Sequence, residues 1–451
     1  MKMQQDLTKG NETKAMISFV IPMIVGNLFQ QLYNVIDTVI VGKFIGSNAL
    51  AAVGSSFSVM VLLTSIILGL CIGSGTVFSH LFGEKNIEKL KNSFFVSFCL
   101  IAFLSLVINI AALFFLNNIL SFLQIPAEIT YETHTYLRII FYGITFTTIY
   151  NYFSAIMRSL GNSMIPLIFL IISTIINIVL DLVFVVGFDM GVAGAAYATI
   201  IAQGFSGIGI AVYSFKKMSI IRISGRHLRF DFNIVKLIVN HSILSSIQQS
   251  VMNLGILMVQ GLVNSFGIVA MAAFATVVKI ESFAYLPLQE FGNGFTTFIA
   301  QNLGAGKQNR ITNGIRSALK IITGYGIGIS TIILLFAKPL VGFFIKENEV
   351  EILRTGVQYL FIVSPFYCLI GYLFLFYGLY KGMGRPGISI LLTGVSLGTR
   401  VVLAYLLSSI PSLGLRGIWW AIPIGWALAD LIGYYCLKGM NLSFNQSLQL
   451  D

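Results

Sequence analysis

Charged side chains are scarce. Asp, Glu, Lys and Arg make up 10% of the 451 residues, where a soluble domain carries about 25%, and that shortfall excludes an ordinary soluble globule. Cysteine is also sparse: Cys71, Cys99, Cys368 and Cys436 stand singly with no CxxC pair. That spacing argues against a disulfide framework and against a thiolate metal site. The four histidines, His80, His134, His227 and His241, are scattered rather than spaced as metal ligands. There is no GxxxxGK[ST] loop, so the chain itself offers no ATP-driven chemistry. No HExxH, Ser/His or interfacial carboxylate pair is present, so it reads as no enzyme and needs no cofactor. Filter-like loops at membrane depth, the mark of a channel, are absent as well.

What is abundant is apolar side chain. The chain is 56% hydrophobic, its mean hydropathy is +0.87, and a span needs about 20 consecutive apolar residues. Such runs recur from Ala15 to Leu437 and predict twelve helices, at 15–43, 49–82, 93–117, 134–157, 163–187 and 192–215, then 237–263, 270–303, 315–337, 355–379, 387–409 and 416–437. The polar start MKMQQDLTKGNETK, followed by an apolar run too long for a leader, predicts insertion without a cleaved signal. With the N-terminus inside, the loops divide 20 Lys and Arg on that side against 6 on the other. By the positive-inside rule both termini of this multi-pass membrane protein are cytoplasmic. The net charge of +11 is thereby a topology signal, and no nucleic-acid partner is needed to explain it.

The chain repeats itself. At an offset of 221, Gly46, Ala49, Ala51, Ala52, Gly73 and Gly83 fall on Gly267, Ala270, Ala272, Ala273, Gly294 and Gly304. At 223, Tyr136, Leu137, Gly161, Gly191 and Gly194 fall on Tyr359, Leu360, Gly384, Gly414 and Gly417. Six helices per half make the repeats parallel rather than inverted. The expected fold is therefore an all-α membrane protein of two pseudo-symmetric six-helix bundles, with an N-terminal lobe over 1–215 and a C-terminal lobe over 237–451. A basic stretch over 216–236 joins them and reads as a solvated cytoplasmic connector rather than a lipid-surface helix. Two bundles facing across a cleft suit alternating access in a monomer, with membrane lipid as the surrounding partner.

A charge at the bilayer centre costs at least about 2.5–3.5 kcal/mol, so intramembrane acids are functional candidates. Five lie in the predicted helices: Asp37, Asp181, Glu281, Glu290 and Asp430. At about 1.5 Å per residue, Asp37 and Asp181 stand some 8–9 Å below the outer surface. Asn177 shares a face with Asp181 four residues on, and Thr199 returns to a similar depth. Two carboxylates, an amide oxygen and a hydroxyl make a hard-oxygen set suited to Na⁺ or to a shared proton. The bland alternative is bonding between helices, to which Asn177 and Thr199 are the more prone. These positions map onto Met258, Arg400, Ala404 and Ile422 in the other half, so the acidic set is confined to one lobe. Glu281, near mid-membrane, and Glu290 are candidates for contact with a cationic substrate, against an interhelical ion pair involving Lys279 or Arg400. Tyr33 and Tyr136 are candidate aromatics for stacking and cation–π contact. Asp430, about 12 Å from Lys438, reads as approaching the inner interface.

The opening IPMIVGNLFQQLYNVIDTVIVGKFIG, the inner loops GEKNIEKLKNS and GAGKQNRITNG, RSLGNSMIP and NIVLDLVFVVGFDMGVAGAAYAT together resemble the multidrug and toxic compound extrusion (MATE) family, from about Lys14 to Lys438. The resemblance implies two six-helix lobes, antiport of Na⁺ or H⁺, and export of amphipathic organic cations. It also implies that Asp37, Asn177, Asp181 and Thr199 form the first-lobe cation site, and that Pro22 is the proline at which helix 1 bends in some members. A second-lobe acid of some relatives is missing: helix 7 offers Gln248 and Gln249, and a late helix 8 acid falls on Asn293, one turn after Glu290. The rival reading is a lipid-linked precursor flippase of the same broad superfamily, holding a pyrophosphate with Arg400 and Lys279.

Overall fold

The computed structural model describes residues 5–123, 125–345 and 349–447, with side chains described to Gly439. Lys2 and Lys346, counted above in the charge balance, lie outside the described residues. Twelve helices are long and apolar enough to cross a membrane: α1 Glu12–Ile45, α2 Ser47–Gly83, α3 Ile87–Phe114, α4 Ala127–Ser159, α5 Met164–Gly187, α6 Gly191–Lys217, α7 Phe232–Asn264, α8 Ile268–Gly304, α9 Gln308–Gly342, α10 Val350–Gly382, α11 Pro386–Ser408 and α12 Leu415–Gly439. No strand occurs among the described residues.

The helices number as the hydropathy predicts, but several begin earlier. α3 starts at Ile87 rather than 93, α4 at Ala127 rather than 134, and α9 at Gln308 rather than 315. Each early turn is polar, as in IEKLKN, AEITYET and QNRITNG. Hydropathy sees only the part of a helix that lipid can solvate, whereas the hydrogen-bond ladder runs on into water. The start of α3 is sealed locally: the Asn86 side chain accepts from the Lys89 amide at 3.2 Å. α10 is broken by a tight turn at Ser364–Phe366, where Pro365 removes a ladder donor.

The described contacts divide the chain into two compact units, 1–249 with 300–307, and 250–299 with 308–451. In the first unit α4 packs on both α2 and α6, α5 on α6, and α1 on α5. A buried cluster there includes Phe78, Phe94, Leu137, Phe141 and Met157. In the second unit α11 packs on α12, and α10 on α9 and α12.

The repeat is written into the turns. Lys85 and Gly306, an offset of 221, have φ of 59° and 68°; Gly161 and Gly384, an offset of 223, have φ of 82° and 76°. Each closes the helix before it with the same pair of bonds. Lys85 N–H donates to Phe82 O and Asn86 N–H to Leu81 O; Gly306 N–H donates to Leu303 O and Lys307 N–H to Asn302 O. Such a left-handed cap satisfies carbonyls that the helix end would otherwise orphan. Glycine is required at a close approach too. A Cβ on Gly83 would strike the Gln301 carbonyl, and one on Gly304 the carbonyl of His80, itself the repeat mate of Gln301.

Two segments outside the spanning helices are docked. Ahead of α1, Leu7 is wholly buried, the Gln5 amide donates to Gly161 O at 3.0 Å, and the Asn302 side chain donates to Leu7 O at 3.2 Å. Between α6 and α7 the stretch expected to be solvated is pinned to α3. The buried Asn92 amide donates to the carbonyls of His227 at 2.9 Å and Arg229 at 2.7 Å, and Arg226 pairs with Glu88 at 2.9 Å. Hydropathy could not show this, because the anchor is one asparagine in the polar start of α3 meeting backbone carbonyls.

Candidate functional site

The first unit gathers its intramembrane polar groups at one end of α1, α5 and α6. Asp37, Asn177, Asp181 and Thr199 are all buried, at 7%, 1%, 0% and 2% exposure. Asp37 and Asp181 are close enough to feel each other's charge. The Asp37 Oδ1 is enclosed with no hydrogen-bond partner, an arrangement costing about 1–3 kcal/mol unless something occupies it. The Tyr33 and Thr199 hydroxyls meet at 3.0 Å and tie α1 to α6. Ser173 donates to the Ala202 carbonyl at 2.8 Å and ties α5 to α6.

The backbone departs from a regular helix at both acids. α1 runs as an α-helix to Ile40 and then as a π-helical turn over Val41–Ile45. α5 does likewise after Asp181, over Leu182–Gly187. The two π-helical turns pack against each other. Widened turns of this kind are rare and occur disproportionately at functional sites. In the second half the equivalent places carry no π-helical turn: α7 runs as α-helix to Asn264 and α11 to Ser408, and each then passes into a turn. Nothing in the spacing of residues foretold these turns. Around them Ile40, Val41, Tyr136, Ile140, Val185 and Ala196 form a buried apolar collar.

Tyr33 and Tyr136, predicted as cleft aromatics, both stand beside these acids: each hydroxyl lies within electrostatic reach of Asp37 and Asp181. Pro22 is buried within α1. Among the described residues no three His, Cys, Asp or Glu side chains group as a metal site. The donors here are two carboxylates plus neutral oxygens, a set that suits a monovalent cation or a proton better than a transition metal.

The second-unit acids have different company. Glu281 accepts from the Tyr359 hydroxyl at 2.7 Å and the Tyr367 hydroxyl at 3.3 Å, and Arg400 lies within Coulombic reach. Tyr359 is the repeat mate of Tyr136, so both lobes set the same tyrosine beside an acid, but only Glu281 is shown with a fixed cation nearby. Glu290 accepts from the Asn293 side chain at 3.3 Å. Lys279 lies 6.0 Å from the centre of the Phe344 ring. Of the two cations that a pyrophosphate ligand would need, Arg400 lies near Glu281 with its Nε enclosed and without a hydrogen-bond partner, and Lys279 lies near the Phe344 ring.

The MatE family profile matches the chain twice, over residues 22–183 and 242–406, once in each repeat. YpnP of Bacillus subtilis (strain 168), a probable multidrug resistance protein, is 29% identical over 379 residues, covering 84% of either chain. YoeA of the same organism, also a probable multidrug resistance protein, is 28% identical over 446 residues, covering 96% of this chain and 95% of its own. Among solved structures, a MOP superfamily transporter from Pyrococcus furiosus, whose binding pocket is described as reversed in polarity, superposes with a TM-score of 0.91 at 25% identity, covering 97% of each chain.

Proposed function

The chain belongs to the MatE family and is a multi-pass transporter of the bacterial inner membrane, and from that premise we propose that it is a multidrug exporter that carries amphipathic organic cations out of the cell in exchange for Na⁺ or H⁺ bound at Asp37, Asn177, Asp181 and Thr199. The observation that carries the reading is the pair of buried acids on α1 and α5, one with an enclosed and unpartnered oxygen. Two charges close together in low dielectric repel strongly, so an arriving cation or proton is held tightly while the pair is closed. It is released when a change of access lets water reach the pair. Asp37 and Asp181 carry the charge in this scheme. The carbonyl of Asn177 and the hydroxyls of Thr199 and Tyr33 supply neutral oxygens around it. The π-helical turns at Val41–Ile45 and Leu182–Gly187 are the natural points for α1 and α5 to shift, since a widened turn can migrate without breaking the ladder.

Export follows by linkage: a drug and a cation that favour opposite states of access drive one another across, each by its differential affinity for the two states. Both termini then face the cytoplasm, in keeping with the loop charges. The experiment is ethidium efflux from proteoliposomes with Na⁺ and pH gradients imposed separately. Efflux driven by one gradient supports the antiporter and names its ion. Folded protein that exports under neither gradient contradicts the reading and favours the lipid-precursor flippase.

A further inference from the structure

Within the second unit a half-open crevice of about 480 Å³ lies between α9, α10 and α12. Leu319, Tyr372, Phe376, Leu431 and Tyr434 form much of its wall, which is almost wholly apolar, and Asp430 of α12 stands in that wall. Asp430 is eight residues short of Lys438, the next charged residue along α12, about 12 Å along the helix axis, and a carboxylate inside that span is expensive. Both of its carboxylate oxygens are enclosed and neither has a hydrogen-bond partner. The hydroxyl that senses its charge, Tyr377, is itself buried. A carboxylate in this position adds nothing to helix packing that leucine would not do better.

The crevice faces outward. On the same stretch of α12, Leu431, Tyr434 and Tyr435 are 54%, 57% and 67% exposed, an apolar and aromatic face of the kind that bilayer lipid solvates. A molecule reaching Asp430 across that face is itself lipophilic. Charge complementarity asks for a cation, and the aromatic wall asks for a hydrophobic body with rings, which Tyr372, Phe376 and Tyr434 can meet by stacking and cation–π contact. We propose that this crevice is a second binding site, for a lipophilic organic cation dissolved in the membrane, with Asp430 turning its carboxylate into the crevice as the counter-charge. The site lies in the other unit from the Asp37–Asp181 pair and uses none of its residues, so the two stand or fall separately.

The test is saturable binding of tetraphenylphosphonium to purified full-length protein in lipid nanodiscs. Binding is measured for the wild type, Asp430→Asn, and Ala427→Phe, which fills the crevice from α12 and keeps the carboxylate. Asp37→Asn protein serves as the control for the first-unit site. A loss of tenfold or more in affinity in both Asp430→Asn and Ala427→Phe, with the same binding component intact in Asp37→Asn, is the expected result. Unchanged binding in Asp430→Asn overturns the proposal. So does binding that Asp430→Asn weakens but Ala427→Phe leaves alone, because the carboxylate would then act somewhere other than the crevice. If Asp430→Asn does not fold, Ala427→Phe decides alone.

Discussion

The Tyr33 and Thr199 hydroxyls lie 3.0 Å apart, and this one contact joins α1 to α6 beside both acids of the first unit. Neither group can be charged in the membrane, and each carries a lone pair that a cation between Asp37 and Asp181 could use. The bond therefore acts in two ways. It holds the helices in register, and in the proposed scheme its oxygens are available to the bound ion.

Removing either hydroxyl should weaken coupling without abolishing transport. Tyr33→Phe and Thr199→Val each delete one partner of a hydrogen bond worth about 0.5–1.5 kcal/mol. The expected effect is a severalfold rise in the ion concentration needed for half-maximal efflux. Because the two groups act on each other, the double variant should cost less than the sum of the singles. A concentration series of the driving ion in proteoliposomes checks this.

Lys85 holds a left-handed backbone, φ 59°, where its repeat mate is Gly306 at φ 68°. For a residue with a Cβ that conformation costs about 1–2 kcal/mol. Lys85→Gly should accordingly raise the thermal unfolding temperature in detergent, and Gly306→Lys should lower it. Transport should be little altered in the first variant. Equal melting temperatures in both would show that the caps do not limit stability.

Asn92 anchors the connector between the repeats through two carbonyls, of His227 and Arg229. Asn92→Ala removes both donors at once, at about 1–3 kcal/mol for carbonyls left unpaired in a covered place. Amide exchange over residues 219–229 should speed up markedly, while the ends of α3 keep their protection. The exposed Arg226–Glu88 pair contributes far less, so Arg226→Gln should leave exchange nearly unchanged.

The sequence made the helices and the acids legible for one reason: lipid tolerates few polar groups, so each that remains is conspicuous. Twelve apolar runs became twelve helices, and Asp37, Asn177, Asp181 and Thr199, chosen for depth and face, are all buried within the first unit. The repeat of glycines was legible as an offset, and its meaning appeared in the paired left-handed caps. What stayed hidden depends on partners that no spacing reveals. Tyr33 and Tyr136 carried no sign that they would stand beside the acids. Glu281 gave no hint of its two tyrosines. The π-helical turns after Ile40 and Asp181 come from tertiary fit, which helix periodicity cannot encode. Polar first turns, such as that of α3, misled the boundaries because they are helix in water rather than helix in lipid.

The central claim is that the Asp37–Asp181 pair carries the coupling ion, and drug-driven ion flux tests it most directly. Proteoliposomes loaded with ethidium and given no ion gradient should take up Na⁺ or protons as the drug leaves, in fixed proportion, with wild-type protein. Asp37→Asn and Asp181→Asn, each confirmed as folded and inserted, should show no drug-driven ion movement above protein-free vesicles. Normal ion uptake in both variants, at the wild-type ratio, would contradict the account.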